Sequence, residues 1–397
     1  MAPPERSASL PLDEEAVNDL YKGYIRYDLC LDIVSCWEAF FAWCAEQHPS
    51  ICFHRFPVCP VPVGKPLTPD FCCAYGDKYG LVFDVKTGIP NDQDMRKRQI
   101  ENNILPQLKK YSEISTFNCV KYAPGNGLTN FWVVKPKLVD VVIVGNYLQS
   151  EILADSLFGA LDDPRNKDFV PARPPILLIE NRPGDLTSKA YTFRKHHDPR
   201  NGNFADTGLN SELDLGRKLT TGDKTLTVLP KAFMDFKIQT PLVNDDPPPL
   251  YLASLLWTRY LPAFLDEVKG IRAEDGFFRG VKFVVTIQEM ADFVNQKIPT
   301  GRVQPEWIEH AFLFCGPMGL ARKTREHEFE IILKQLRVQH FRRKLGIDGK
   351  GWDVSKLLAA LHVHGTAQAR AKQRSKAPPP HRVDQSGQFS LEFESTS

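Results

Sequence analysis

The stretch PDFCCAYGDKYGLVFDVK, residues 69–86, decides how this chain is read. Residues 69–75 and 81–88 are β-like runs, and Gly76-Asp77-Lys78-Tyr79-Gly80 between them is a turn, so 71–86 predicts a β-hairpin. Asp84 and Lys86 stand two apart on the second strand and share one face, while Phe83 and Val85 share the other. Charged groups on an otherwise apolar strand cost burial energy unless something pairs with them. Pro69-Asp70 leads the first strand, and the hairpin brings its carboxylate toward Asp84. Two carboxylates brought together repel, and a divalent cation removes the repulsion; hard oxygen ligands of this kind suit Mg²⁺. The main-chain carbonyl of Val85 is a further oxygen within reach. Lys86 beside such an ion can orient a water and stabilise charge on a phosphorane-like transition state. The alternative is an ordinary surface hairpin whose Asp84 and Lys86 face water.

A bare acid-x-Lys triplet carries little weight. The chain has others at Asp235-Phe236-Lys237, Glu267-Val268-Lys269 and Asp348-Gly349-Lys350. Only the Asp84 copy lies on an apolar strand with a Pro-Asp strand before it and a helix after it. That helix, 93–114, carries Gln107 and Tyr111 at i and i+4, on one face. Pro106 inside it predicts a kink or a break.

With these residues the segment resembles the PD-(D/E)XK nuclease superfamily, the restriction-endonuclease-like fold. Gln107-x-x-x-Tyr111 resembles a pattern of its RecB-like exonuclease branch. The resemblance covers about residues 30–160. It implies Asp70 and Asp84 as metal ligands, Lys86 as the catalytic lysine, and Gln107 and Tyr111 as residues near the substrate or bracing the site. It also implies an acid on the helix before the hairpin. Glu38 in CWEAFFAWC is the best match and Glu46 the second, although a helix acid paired with an arginine such as Arg55 explains Glu38 equally well.

Outward from this segment, residues 1–29 read as a leader and a helix, and 30–161 as an α/β unit whose mixed sheet is flanked by helices. Within these, 13–47 predicts two helices, 131–145 two strands divided at Pro136, and 146–161 a helix. Residues 176–243 form a β-rich segment, 250–365 a mainly helical domain, and 366–397 a disordered tail rich in Ala, Gln, Arg, Lys, Pro and Ser. Residues 281–336 follow the order of a winged-helix module: a strand, a helix opened by the capping box Thr286-Ile-Gln-Glu289, a second helix from Pro305, then a wing with Arg322, Lys323 and Arg325.

The composition, 42% hydrophobic and 25% charged, excludes a wholly disordered chain. No apolar run is long enough for a membrane span, and the first residues lack the basic start and apolar core of a secretory signal. Nine cysteines, an odd number with no C-x-x-C pair, argue for free thiols and a cytoplasmic setting rather than a disulfide scaffold. The net charge of +2 hides an asymmetry, because residues 321–382 carry 15 Lys/Arg against 5 Asp/Glu. Such a segment is drawn to polyanions, and Arg342 and Arg343 in QHFRRKLG are its candidate phosphate contacts. FRKHHDPRNGNF (193–204) places His196, His197 and Asp198 in a polar loop, either a metal or phosphate site or a mobile surface loop. Absence of a P-loop, a G-x-S-x-G elbow and an H-E-x-x-H helix lowers motor, serine-hydrolase and zinc-peptidase readings. The expectation is a metal-dependent nuclease acting on DNA with Mg²⁺, for which Mn²⁺ can substitute, in the cytoplasm. The alternative is a non-catalytic DNA-binding or regulatory protein with a nuclease-like fold. A homodimer and a subunit of a larger complex are both compatible with it.

Overall fold

The computed structural model describes residues 11–61, 65–86, 88–123, 127–181, 191–204, 226–228, 247–273, 278–297, 303–334, 336, 341, 345 and 352–376. Arg342 and Arg343, the Asp235 and Asp348 triplets and the tail beyond 376 lie outside the described residues.

The expected pair of N-terminal helices is one helix, α1 (Glu14–Gln47). Asp13 caps it by accepting from the Ala16 amide at 3.0 Å, and Glu14 and Glu15 favour its positive end. Nothing in 14–47 is strong enough to break it. Gly23 costs only about 1 kcal/mol in a helix interior, and the second half is buried on nearly every side by Val34, Trp37, Phe40, Phe41 and Cys44.

A meander follows: β1 (Ile51–Arg55), β2 (Phe71–Tyr75) and β3 (Tyr79–Lys86), each antiparallel to the next. The chain then passes through α2 (Gln93–Gln99) and α3 (Leu105–Ser112), and through the hairpin β4 (Phe117–Ala123) and β5 (Gly127–Val134), to β6 (Leu138–Asn146). β6 lies parallel to β3. A second crossover, α4 (Ser150–Asp162), leads to β7 (Ile176–Asn181), parallel to β6. β8 (Tyr191–Lys195) and β9 (Leu226–Val228) add antiparallel strands. The result is a mixed sheet in the order β5-β4-β1-β2-β3-β6-β7-β8-β9. The 176–243 stretch is therefore not a separate layer where it is described, because β7, β8 and β9 extend the sheet of the 30–161 unit.

Side-chain alternation divides the sheet into two packed faces. Phe83, Val85, Val142, Val144 and Leu178 join α1 in one core. Val82, Ile143, Leu177 and Ile179 join Leu108, Leu153 and Leu157 of α3 and α4 in the other. Burial on both faces explains why β2 and β3 read as apolar runs.

Proline does not break the 93–112 helix as the sequence suggests. A π-turn, Ile100–Ile104, precedes Leu105-Pro106, and the Leu105 amide reaches back to Ile100. The wider turn accommodates a residue that lacks an amide hydrogen and whose ring crowds the preceding turn. The device recurs between α5 (Pro249–Leu255) and α6 (Leu261–Glu267), where the π-turn Leu256–Tyr260 precedes Leu261-Pro262.

The C-terminal unit continues with β10 (Arg279–Thr286), α7 (Ile287–Lys297), α8 (Pro305–Cys315), β11 (Ala321–Arg325) and β12 (Glu328–Lys334). Its antiparallel sheet has the order β10-β12-β11. The capping box forms: Thr286 N donates to Glu289 Oε2 at 3.0 Å and Glu289 N to Thr286 Oγ1 at 3.1 Å. The last helix, α9 (Val354–Lys376), crosses the expected start of the disordered tail at 366 by more than two turns. It packs on α1 and α5, and its Tyr21–Asp353 hydrogen bond of 2.8 Å ties it to the N-terminal unit. Among the described residues, no helix is long and apolar enough to cross a membrane.

Gly365 lets α9 lie close against the segment after α8: a Cβ there would lie 2.1 Å from the Pro317 carbonyl oxygen. Backbone cannot rotate away as a side chain can. Gly365→Ala is expected to cost about 2 kcal/mol, overpacking outweighing the better helix propensity. A urea unfolding midpoint equal to or above that of the wild type excludes this.

Candidate active site

The hairpin register pairs Phe71 with Phe83, so the next position outward sets Asp70 opposite Asp84. Asp70 Oδ2 accepts the Val85 amide at 2.6 Å, which fixes its carboxylate against the strand that carries Asp84 and Lys86. Lys86 Nζ lies 2.7 Å from Asp84 Oδ2 and donates to Gln107 Oε1 at 3.0 Å. Gln107 Nε2 donates to the Tyr111 hydroxyl at 2.6 Å. The π-turn before Pro106 keeps α3 helical through Gln107 and Tyr111, and so preserves their shared face. Asp84, Lys86, Gln107 and Tyr111 thus form one contiguous polar chain at the carboxyl end of β3, beside β6, and Asp70 joins it through the Val85 amide.

Burial sets the electrostatics. The Asp84 side chain is 4% exposed and that of Lys86 17%. Burial works to lower the Lys86 pKa, but Asp84 and then Asp70 outweigh it and hold the ammonium above the ordinary lysine range. Lys86 is therefore a fixed cation at neutral pH. Asp84 Oδ2 is buried and, among the described residues, receives no hydrogen bond beyond its ion-pair contact with Lys86. A buried carboxylate oxygen of this kind, beside a second carboxylate, is a donor set that suits a hard divalent cation.

Glu38 does not join this group. It is 1% exposed and pairs with Arg55, which also donates to Ser35 Oγ at 2.7 Å. Arg55 lies two residues from Phe53 and on its face, the α1 face, whereas Asp84 and Lys86 follow Val82 on the opposite face. A buried carboxylate requires a partner, and β1 supplies a cation before the hairpin does. Burial pushes the Glu38 pKa up to about 7, with Arg55 acting in the lowering direction.

Elements distant in sequence frame the site. Gln149, just before α4, accepts from the Ile89 amide at 3.0 Å and donates to the Ile89 carbonyl at 2.8 Å, fastening the loop after Lys86. Arg26 of α1 reaches the same loop, its Nε 3.8 Å from where a Cβ on Gly88 would sit. Neither residue lies in a motif. Only the long-range packing of α1 and α4 brings them to β3.

The 193–204 loop is more ordered than its composition suggests. Buried Asn201 accepts from the Leu177 amide at 2.8 Å and donates to the carbonyls of Leu177 at 3.0 Å and His196 at 2.9 Å. His196 is buried, and burial lowers its pKa below the ordinary histidine value, with Glu151 acting in the opposite direction. Glu151, His196 and His197 place three ligand atoms within 4.8 Å of one another, a group that could hold a metal ion. Asp198 stands apart from it, engaged by Arg200 at 2.6 Å. None of the nine cysteines is in a disulfide. Cys72 and Cys119 bring their sulfurs within 3.9 Å across the α3 face of the sheet, but among the described residues no three cysteines form a metal-ligand group.

A scan against protein-family models finds no match to the chain, and neither the curated proteins nor the solved structures contain one.

Proposed function

We propose that the chain is a metal-dependent nuclease that hydrolyses phosphodiester bonds, with DNA as its substrate. The observation that carries this reading is the polar chain Asp70, Asp84, Lys86, Gln107 and Tyr111 at the end of β3. The element order supports it. A helix, a three-stranded antiparallel meander, helices and a parallel strand follow the plan of a restriction-endonuclease-like fold. Asp70 and Asp84, with the Val85 main chain, are the residues that would hold Mg²⁺ or Mn²⁺. When bound, the ion would polarise a phosphate and lower the pKa of a water. Lys86 brings a positive charge to the same place, where charge grows on the phosphoryl oxygens. Gln107 fixes the Lys86 ammonium and is itself fixed by Tyr111, so this pair positions rather than reacts.

The C-terminal unit supports a nucleic-acid partner in part. Its order of helix, strand, two helices and two strands, with sheet order β10-β12-β11, follows a winged-helix plan. However, the helix that would enter a groove, α8, presents Glu306, His310 and Leu313 to solvent, and Glu309 takes Lys323 at 2.7 Å. We therefore assign phosphate contact to exposed Arg322 and Arg325 of β11 and to Arg370 and Lys372 of α9, not to α8.

A second reading, a DNA-binding or regulatory protein without catalysis, is favoured by one fact: Glu38 is spent on Arg55, which leaves the site two carboxylates instead of three. Cleavage of labelled single- and double-stranded DNA separates the two readings. The wild type is expected to cut with Mg²⁺ or Mn²⁺ and not with EDTA, and Asp84→Asn to lose at least about a hundredfold in rate. Metal-independent cutting, or equal rates in the variant, overturns the site. Binding without any cutting moves the conclusion to the second reading.

A further inference from the structure

We propose that Glu151, His196 and His197 form a binding site for a divalent transition metal of the zinc class, separate from the Asp70/Asp84 site. The three come from different elements. Glu151 lies in the first turn of α4, and the two histidines directly follow β8. Their ligand atoms fall within 4.8 Å of one another, the one such group of three among the described residues. Two imidazoles and a carboxylate suit Zn²⁺, whereas an all-oxygen set suits Mg²⁺.

A second observation points the same way. His196 is 6% exposed, and its buried Nε2 makes no close hydrogen bond. That atom lies 3.4 Å from Glu151 Oε1 and so faces into the group. The His197 ring stacks on His196 at 4.5 Å, which brings the second imidazole alongside. The loop is built to hold this arrangement. The His196 amide donates to Leu177 O at 2.9 Å, and Asn201 fastens the His196 carbonyl from the other side. Asp198 is withdrawn by Arg200.

One rearrangement accompanies loading. His196 Nδ1 accepts from the Asp198 amide at 3.2 Å, which leaves the ring proton on Nε2. Ligation through Nε2 moves that proton to Nδ1, so the Asp198 amide must turn away, and no net proton is released by the ring. With three protein ligands the fourth position is left to water. The metal would clasp the end of β8 to the start of α4, next to Gln149, which holds the loop after Lys86.

The test uses the full chain, stripped with chelator and titrated with Zn²⁺ by calorimetry and with Co²⁺ by visible absorption. Glu151→Gln and His197→Ala alter exposed side chains and leave the buried His196 in place, so neither threatens folding. The wild type is expected to bind Zn²⁺, and each variant to bind it more than about tenfold more weakly. Asp84→Asn is expected to retain Zn²⁺ binding. Co²⁺ is expected to give intense visible bands in the wild type that vanish in Glu151→Gln. Absent Zn²⁺ binding, or affinity unchanged in both variants, overturns the proposal. Cleavage is not the readout, so loss of the nuclease reading leaves this result standing, and the reverse holds too.

Discussion

Lys86→Ala is expected to lower Mg²⁺-dependent DNA cleavage by about 10²–10³-fold, the range for removing one preorganised group that stabilises transition-state charge. Two features of the site set this size. The ammonium is fixed by Asp84 at 2.7 Å and Gln107 at 3.0 Å, so its charge needs little reorganisation when the phosphoryl group becomes more negative. It is also largely shielded from water, where a charge acts more strongly than on a surface. Losing Lys86 leaves Asp84 buried beside Asp70 without its cation, so some loss of stability accompanies the substitution. Lys86→Arg controls for this, since it keeps the charge for Asp84 but displaces it. That variant is expected to fold with a near-normal thermal midpoint and still lose most of the rate. Gln107→Leu is a milder case, because it frees the ammonium without removing it. On the proposed function, DNA affinity measured with EDTA is expected to stay within about threefold of the wild type in all three, since phosphate contacts away from the site would dominate binding. If Lys86→Ala and the wild type cut at equal rates with Mg²⁺, Lys86 has no catalytic role.

The parts of this site that the sequence shows are those set by local geometry. A two-residue strand period puts Asp84 and Lys86 together, and a four-residue helical spacing puts Gln107 over Tyr111. Both hold in the fold. The turn at 76–78 and the capping box at Thr286 are equally local. What the sequence hides depends on packing. Arg55 stands in the sequence as one possible partner for Glu38, but the choice between that pair and a place in the site turns on which face of α1 meets which face of the sheet, and neither element states it. β4 and β8 escape notice because FNCVKYA shifts register after Val120 and YTFRK is a single short alternation that ends in two basic residues. Pro106 reads as a kink or a break, since a π-turn before a proline leaves no compositional mark. Glu151 is 45 positions from His196, so no spacing rule joins them. They meet because β7 and β8 extend the sheet past α4.

Arg55→Met is expected to destabilise the fold by about 3 kcal/mol at pH 8.5, and by much less near pH 5. The asymmetry follows from Glu38. Its carboxyl is fully enclosed, and burial pushes its pKa up to about 7 even with Arg55 in place. The folded state therefore holds more protons than the unfolded state between about pH 4.5 and 7. In the wild type this contribution to stability is complete below the unfolded pKa and is lost as the pH rises toward 7. Without Arg55 both of its lowering influences vanish, so the folded pKa rises further. The variant then keeps losing stability above pH 7, by about 1.4 kcal/mol per pH unit, where the wild type has levelled. Near pH 5 Glu38 is neutral in both folded proteins, and the variant loses little beyond the Ser35 contact. The double change Glu38→Leu/Arg55→Met removes the charge together with its partner, and is expected to recover most of the loss and to flatten the pH profile. Urea unfolding of wild type, single and double variants at pH 5, 7 and 8.5 measures all of this. A single-variant deficit that does not grow with pH would show that Glu38 is not the buried acid Arg55 neutralises. If the double variant instead lost DNA cleavage with its stability intact, the second face of the sheet would have to contribute to the site after all.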